Sequence, residues 1–273
     1  MGKFAISYNL VRLSFKIIMK EKELFVYAIL SFVCSLIILL AVVWWGFFYI
    51  SAAENMTRDQ QWVVFIICMF CVYLLSYFIV FFFNTSIIGS VNRIINWKEN
   101  KFGDGIKDSM DHLGKIIQWT FLATTVSMIL KLLESNKYLG RIVSSILGTA
   151  WSILTFFSFP IMILKGYWPI QAVKESWSLF KKTWGERAII YVSTWLFFFM
   201  IFLLVLALST FIILSGKMVL GAGIFLLLII FIMITNSLSN TIINVVLLQY
   251  VQTWALPDIV PNKEVFNYVI TKK

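Results

Sequence analysis

The stretch LFVYAILSFVCSLIILLAVVWWGFFYI, residues 24–50, contains no charged residue. An apolar run of about 18 or more residues is long enough to cross a hydrocarbon core of about 30 Å as an α-helix. Because lipid offers the backbone no hydrogen-bond partner, such a run must be helical. The stretch therefore predicts a membrane-spanning helix, and it decides the class of the fold.

Five further apolar runs follow, separated by short polar segments. Together they predict an all-α, polytopic membrane protein with about six transmembrane helices in a single transmembrane domain, residues 1–273. The third run is the shortest, so a re-entrant or tilted hairpin is the alternative for the third and fourth runs. The predicted spans are residues 24–50, 62–90, 116–133, 142–164, 188–214 and 218–250.

Composition and charge agree with this class. Hydrophobic residues make up 60% of the 273 positions and charged residues only 13%, against about 25% charged in soluble domains. The net charge of +10 would suggest a nucleic-acid partner in a soluble protein, but no nucleic-acid motif is present. The termini and the even-numbered loops carry 18 of the 23 Lys and Arg residues. This bias places both termini in the cytoplasm.

Three basic segments precede the three pairs of predicted spans and resemble one another. The sequence SYNLVRLSF at residues 7–15 parallels SWSLFKKTW at residues 176–184, and IKDSM at 106–110 parallels VKESW at 173–177. We therefore predict three internal repeats and a short C-terminal tail; chance likeness between basic amphipathic segments is the alternative. The predicted boundaries are residues 1–91, 92–164 and 165–257, with the tail at 258–273.

Apolar residues recur at helical spacing in each segment, and basic residues fill the other face. Such amphipathic helices lie in the headgroup plane and attract anionic lipid, so we predict cytoplasmic interfacial helices with anionic membrane lipids as partners. The predicted apolar faces are Phe4, Tyr8, Val11, Phe15 and Ile18; Phe102, Ile106, Met110 and Leu113; and Val173, Trp177, Phe180 and Trp184. The predicted lipid contacts are Phe15, Trp177, Trp184, Lys181 and Lys182.

Uncharged polar residues gather in the cytoplasmic halves of the second, fourth and sixth spans. In the sixth span Asn236, Asn240 and Asn244 are four residues apart, so they form one stripe along a helix. One interpretation is hydrogen bonding between helices that fixes their packing. The other is a polar cavity open to the cytoplasm, lined by these asparagines with Asn84 and Ser158. No charged residue lies deep within a span, which disfavours an ion-coupled transporter but not a passive pore.

Two local signals concern helix ends. Pro160 in the fourth span should kink or end that helix, because proline lacks a backbone donor. Gly185, in the motif WGER at residues 184–187, can end the third interfacial helix or let it pack against a span. The sixth apolar run continues well past Asn244, so its helix must tilt, break or follow the membrane surface.

Candidates for chemistry are few. His112 is the only histidine, with Asp108 and Asp111 nearby, but nothing fixes a set of metal ligands. Cys34, Cys68 and Cys71 all fall in predicted spans and are interpreted as packing residues. No nucleophile elbow, phosphate loop or zinc-protease motif occurs. The sequence thus predicts no catalytic residue, metal site or cofactor, and a protein that is not an enzyme.

Several short motifs resemble a known family. Phe83-Asn84, Ala150-Trp151, Phe159-Pro160, Ser176 and Trp184-Gly185-Glu186 are similar to the family catalogued as domain of unknown function 6159, a prokaryotic multi-span membrane family. The resemblance implies an integral protein of the bacterial or archaeal plasma (inner) membrane with about six spans. It implies no activity and no functional residues.

Two functional hypotheses follow. The first is a passive, channel-like conduit through the polar cytoplasm-facing cavity. The alternative is a scaffold or assembly protein that does not transport but interacts with lipid through its interfacial helices. Pairing between copies of the chain, or with another membrane protein, fits both hypotheses.

Overall fold

The computed structural model describes residues 3–53, 56–134 and 137–253, with side chains except at residues 3–8, 47–48, 50–53, 137–139 and 182–193. Every regular element in those ranges is a helix, which confirms the all-α prediction. The helices are α1 Lys3–Lys20, α2 Lys22–Ala53, α3 Arg58–Ile95, α4 Asp104–Asp111, α5 Leu113–Glu134, α6 Lys137–Thr155, α7 Ser158–Lys165, α8 Pro169–Leu214 and α9 Met218–Thr253.

Six segments of the described helices are long and apolar enough to cross a membrane, in the order that the sequence predicts. The third and fourth have 22 and 26 residues, and a crossing helix needs about 20. Their length thus favours full crossings over a re-entrant hairpin. The segments are Lys22–Gly46, Arg58–Ile95, Leu113–Glu134, Gly140–Lys165, Thr194–Leu214 and Met218–Thr253.

Two of the helices are much longer than a bilayer core is thick. Helix α3 has 38 residues and α9 has 36. At about 1.5 Å per residue these helices are about 57 and 54 Å long, against a core of about 30 Å. Helix α9 is continuous to Thr253, so the sixth span does not break within the described residues; it must tilt or extend beyond the core.

The fourth span breaks where Pro160 predicts. Helix α6 ends at Thr155 and α7 begins at Ser158, with a two-residue turn between them. Pro160 lies in the first turn of α7, where a missing donor costs little. The prediction that Gly185 ends an interfacial helix is wrong, because α8 runs through that position without interruption.

The helices form two compact units, and each is described here by itself. The first unit combines Met1–Ala28, Ser90–Asn100 and Lys181–Lys273, and the second combines Ile29–Gly89 and Lys101–Phe180. In the first unit Leu10, Leu13 and Leu238 are almost completely buried. In the second, the rings of Phe81 and Phe159 have centroids 4.8 Å apart. This aromatic contact joins α3 to α7.

Candidate functional site

A buried serine holds α4 against α3 in the second unit. The Ser109 hydroxyl lies 2.7 Å from the Phe82 carbonyl oxygen and 2.7 Å from the Ser86 hydroxyl. One turn further along α3, a Cβ added at Gly89 would collide with the Asp108 carboxylate. Small residues let two helices approach closely. The short helix α4 is therefore fixed to α3, the long helix that precedes it.

A second buried serine holds the start of α8 against the break in the fourth span. The Phe157 N–H, in the turn before α7, donates to the Ser176 hydroxyl at 3.1 Å. Both residues are completely buried. Ala172 and Leu179 extend the buried stripe of α8 on either side of Ser176. The Ser176 hydroxyl thus gives a buried backbone donor at the helix break an acceptor from another helix.

A third serine contact joins α1 to α9 in the first unit. The Ser14 hydroxyl lies 3.1 Å from the Ser239 hydroxyl and 2.7 Å from the Val11 carbonyl oxygen. Ser14 and Ser239 are both completely buried. The two hydroxyls carry two protons between them, so both can be satisfied inside the packed helix pair.

The three serine contacts obey one rule. In each, a helix that precedes a pair of spans packs on the second span of another pair, in the half that the charge distribution predicts to be cytoplasmic. Ser109 and Ser176 occupy equivalent positions in IKDSM and VKESW, whereas Ser14 lies seven residues past the serine that aligns with them. A threefold repeat would produce such a rule, and the predicted repeat boundaries stay a prediction.

The serine stripes leave the bulky faces of these helices exposed. On α4, Gly105 and Ser109 are buried, while Met110 is 56% exposed. On α8, Ser176 is buried, while Trp177 is 39% exposed and stacks on Phe180 at 6.1 Å. Other large exposed residues next to these helices are Trp97, Phe102, Trp168 and Ile170. The protein-facing side of each helix is the small side.

The predicted lipid contacts whose side chains are described differ in their surroundings. Phe15 is half-buried, and its ring centroid lies 6.3 Å from those of both Phe197 and Phe198. Phe15 therefore packs on protein, and it can reach lipid only with its remaining surface. Lys181 is exposed, like Trp177. The side chains of Lys182 and Trp184 lie outside the described residues.

The asparagine stripe of α9 lies beside its buried face. Asn236, Asn240 and Asn244 are half-buried, and the Asn240 amide donates to the Asn236 side-chain oxygen at 3.2 Å. Asn84 and Ser158 belong to the second unit. Ser158 is completely buried and its hydroxyl donates to the Leu154 carbonyl oxygen at 3.1 Å. In the described part of the chain, the hydrogen bond that joins two of the predicted cavity residues is the one between Asn240 and Asn236.

A pocket of about 320 Å³ lies where the α4–α5 junction meets the α7–α8 loop in the second unit. We refer to it as the α5 pocket. The His112 Nδ1 donates to the Asp108 carbonyl oxygen at 2.7 Å, because a carbonyl can only accept. No group of three metal-ligating side chains comes together in the described part of the chain. The pocket is lined by Asp111, His112, Gly114, Lys115, Gln118, Gly166, Tyr167 and Trp168.

Sequence reasoning considered His112 and Asp111 only as metal ligands and missed the pocket. The residues that complete it lie about 50 positions further on, in a loop whose shape depends on Gly166. That glycine has φ 75°, a left-handed conformation that favours glycine at a helix C-terminus. The signal that could have found the pocket is the sequence GYW directly after the fourth span.

The sequence matches the family of unknown function DUF6159 over residues 63–257. The chain belongs to this family. A search of curated proteins found no match. The DUF6159 region includes the α5 pocket and the serine contacts of Ser109 and Ser176, whereas Ser14 lies before it. Membership brings no activity with it, so function must be argued from the site.

A second pocket opens between α2 and α3, with a volume of about 430 Å³, and only its α3 side lies in the DUF6159 region. Its lining is apolar and includes Trp45, Phe65 and Met69, with Cys68 as one of the lining residues. Beside it the Tyr49 hydroxyl donates to the Gln61 carbonyl oxygen at 2.8 Å. An apolar pocket of this kind suits a hydrocarbon chain, and its lining suggests no catalytic group.

Proposed function

We propose that this DUF6159 chain is a non-enzymatic, multi-pass membrane protein that acts as a lipid-interacting scaffold. The observation that carries the proposal is the orientation of the interfacial helices. On α4 and at the start of α8, the sides that bear Ser109 and Ser176 pack on the spans, while Met110, Trp177 and Lys181 remain exposed. A soluble monomeric protein rarely exposes a large group of neighbouring aromatic side chains to water.

The chemistry of the exposed side suits a lipid headgroup layer. Tryptophan rings are favoured at the boundary between hydrocarbon and water, and Trp97, Trp168 and Trp177 are exposed at the helix ends concerned. Each Lys or Arg near an anionic surface adds about 1 kcal/mol of attraction. Lys174 and Lys181 are exposed on the same part of α8. The side chains offered to lipid are thus both apolar and cationic.

The proposal includes a location and an orientation. The excess of Lys and Arg on one side of the six candidate spans favours cytoplasmic termini, and the family resemblance favours the plasma membrane of a bacterium or archaeon. Anionic lipids are then the expected partners of the interfacial helices. A second copy of the chain, or another membrane protein, would meet the exposed faces of the spans.

A passive conduit is the second candidate, supported by one observation. The asparagine stripe of α9 is half-buried and lies beside a buried face of the same helix. The serine hydroxyls are buried in contacts between helices, whereas these amides are not. However, Asn240 already donates to Asn236, and uncharged amides alone give no selectivity for a charge. The scaffold hypothesis is therefore the stronger one.

The two candidates separate in one experiment. The full chain is reconstituted into vesicles for flux measurements with ions and small solutes, and native mass spectrometry counts the lipids it retains from detergent. We expect retained anionic lipid and no flux. The pair Trp177→Ala with Lys181→Gln should lower retention, and Ser178→Ala, an exposed control on the same helix, should not. Flux that Asn240→Leu abolishes would establish the conduit instead.

A further inference from the structure

We infer that the α5 pocket binds a zwitterionic phosphoethanolamine headgroup, the head of an aminophospholipid. This inference rests on the proposed function and deepens it, because it names the lipid class for one site.

The α5 pocket lies at the depth of the lipid headgroups. The α5 pocket sits at the first turns of α5 and just after α7, the two helix ends that the charge distribution assigns to the cytoplasmic side. Trp168 is 64% exposed and Tyr167 is also exposed at its rim. Amphipathic aromatic rings are enriched at this level of a membrane. A lipid can therefore enter the pocket with its head while its chains stay in the hydrocarbon.

Two opposite charges line the pocket without pairing. Lys115 and Asp111 both contribute to its surface, and within the described ranges neither forms an ion pair at 4.0 Å or less. The Lys115 Nζ lies 3.2 Å from the point where a Cβ on Gly166 would stand. The pocket thus presents a cation and a carboxylate that a ligand with both charges can bridge.

Lys165, the basic residue next to the pocket, already forms an ion pair. The Lys165 Nζ lies 3.2 Å from the Glu175 carboxylate and 5.6 Å from the centre of the Tyr167 ring. Lys115 is therefore the cation that remains for a phosphate, and Gln118 supplies an amide donor beside it. Because His112 donates through Nδ1, its other nitrogen is an acceptor while the ring is neutral.

This arrangement discriminates between headgroups. A phosphoethanolamine offers its phosphate to Lys115 and Gln118, and its ammonium N–H groups to Asp111 and His112. A phosphoglycerol offers only the phosphate, and its negative charge lies near the Asp111 carboxylate. A phosphocholine keeps both charges but has no N–H group to donate. Charge-assisted hydrogen bonds are about twice as strong as neutral ones, so the ethanolamine head should bind best.

The test uses the full chain in detergent and native mass spectrometry with matched lipids. Phosphatidylethanolamine, phosphatidylglycerol and phosphatidylcholine with identical chains are added in turn. We expect the wild type to retain phosphatidylethanolamine about tenfold more tightly than the other two lipids. Equal retention of the three, or a preference for phosphatidylglycerol, would overturn the inference without any variant being needed.

Two charge-removing variants assign the preference to the pocket. Asp111→Asn should abolish the preference for phosphatidylethanolamine over phosphatidylglycerol, and Lys115→Gln should weaken both by about tenfold. Asp59→Asn and Lys217→Gln remove the same charges at exposed positions outside the pocket and away from the interfacial helices, and should change neither value. An unchanged preference in Asp111→Asn overturns the inference.

The outcomes also separate this inference from the proposed function and identify the source of the headgroup. Retention of lipid without headgroup preference leaves the scaffold in place and removes only the site, whereas no retained lipid above detergent background removes both. Displacement of the bound lipid by soluble glycerophosphoethanolamine would assign the site to the head alone. Displacement only by intact phosphatidylethanolamine would assign it to a membrane lipid.

Discussion

The buried serines and the asparagine stripe are both polar, but they differ in burial and in their hydrogen-bond partners. Ser109 and Ser176 are completely buried against neighbouring helices, whereas Asn236 and Asn240 are half-buried and bond to each other along one helix. A hydroxyl needs few partners and adds little bulk, while an amide brings two donors and an acceptor that must all be satisfied. The polar contacts between the described helices are therefore made by hydroxyls rather than by these amides.

The largest expected effect comes from the tightest contact. Gly89→Leu would drive a side chain into the Asp108 carboxylate and separate α4 from α3. Overpacking of this kind costs about 3 kcal/mol of unfolding free energy. Titration with a denaturing detergent, followed by tryptophan fluorescence, measures the change.

The control for this substitution is Gly223→Leu, where a Cβ would meet no atom within 4 Å. That variant should unfold like the wild type. Shortening the opposing side chain in the double variant Gly89→Leu, Asp108→Ala should recover part of the loss. If Gly89→Leu were as stable as the control, the close α3–α4 contact would be wrong.

A smaller effect is expected from the second serine contact. Ser176→Ala would remove the hydroxyl that accepts a hydrogen bond from the completely buried Phe157 N–H, at a cost of about 1 kcal/mol of unfolding free energy. Ser178→Ala, exposed on the same helix, should stay within about 0.5 kcal/mol of the wild type. Faster amide hydrogen exchange at Phe157 in Ser176→Ala alone would locate the damage. Equal stability of the two variants would contradict the contact.

The smallest effect is expected from the asparagine stripe. Asn240→Ala should cost only about 0.5 kcal/mol, the upper value for a pair of side chains four residues apart on one helix. A double-mutant cycle with Asn236→Ala, measured by the same unfolding titration, would isolate their mutual hydrogen bond. A coupling above 2 kcal/mol would place the asparagines among the docking residues and remove the contrast with the serines.

Hydropathy predicted the spans because length and apolarity are sufficient conditions for a crossing helix in lipid. The third and fourth spans, the weakest by length, have 22 and 26 residues in the structure. The break before Pro160 was also predictable, because a missing donor is a local property of one residue. Features of this kind do not depend on which neighbour a helix meets.

The orientation of the interfacial helices was harder to predict. Periodicity identified Val173, Trp177 and Phe180 as the apolar face of α8 but could not say whether that face meets lipid or protein. Protein contact falls on Ala172, Ser176 and Leu179 instead. A membrane protein has two apolar surroundings, and close packing selects small residues over hydrophobic ones. The α5 pocket escaped prediction for a related reason, since its halves are distant in sequence.

The hydrogen bond between Phe157 and Ser176 has a consequence for biosynthesis. The donor and acceptor are separated by 19 positions, so the amide at the helix break has no serine to accept it while the ribosome is still adding residues 158–175. The eight-residue α7 is too short to form a stable helix alone. The contact that joins the fourth crossing to α8 can therefore form only after Ser176 has been synthesised.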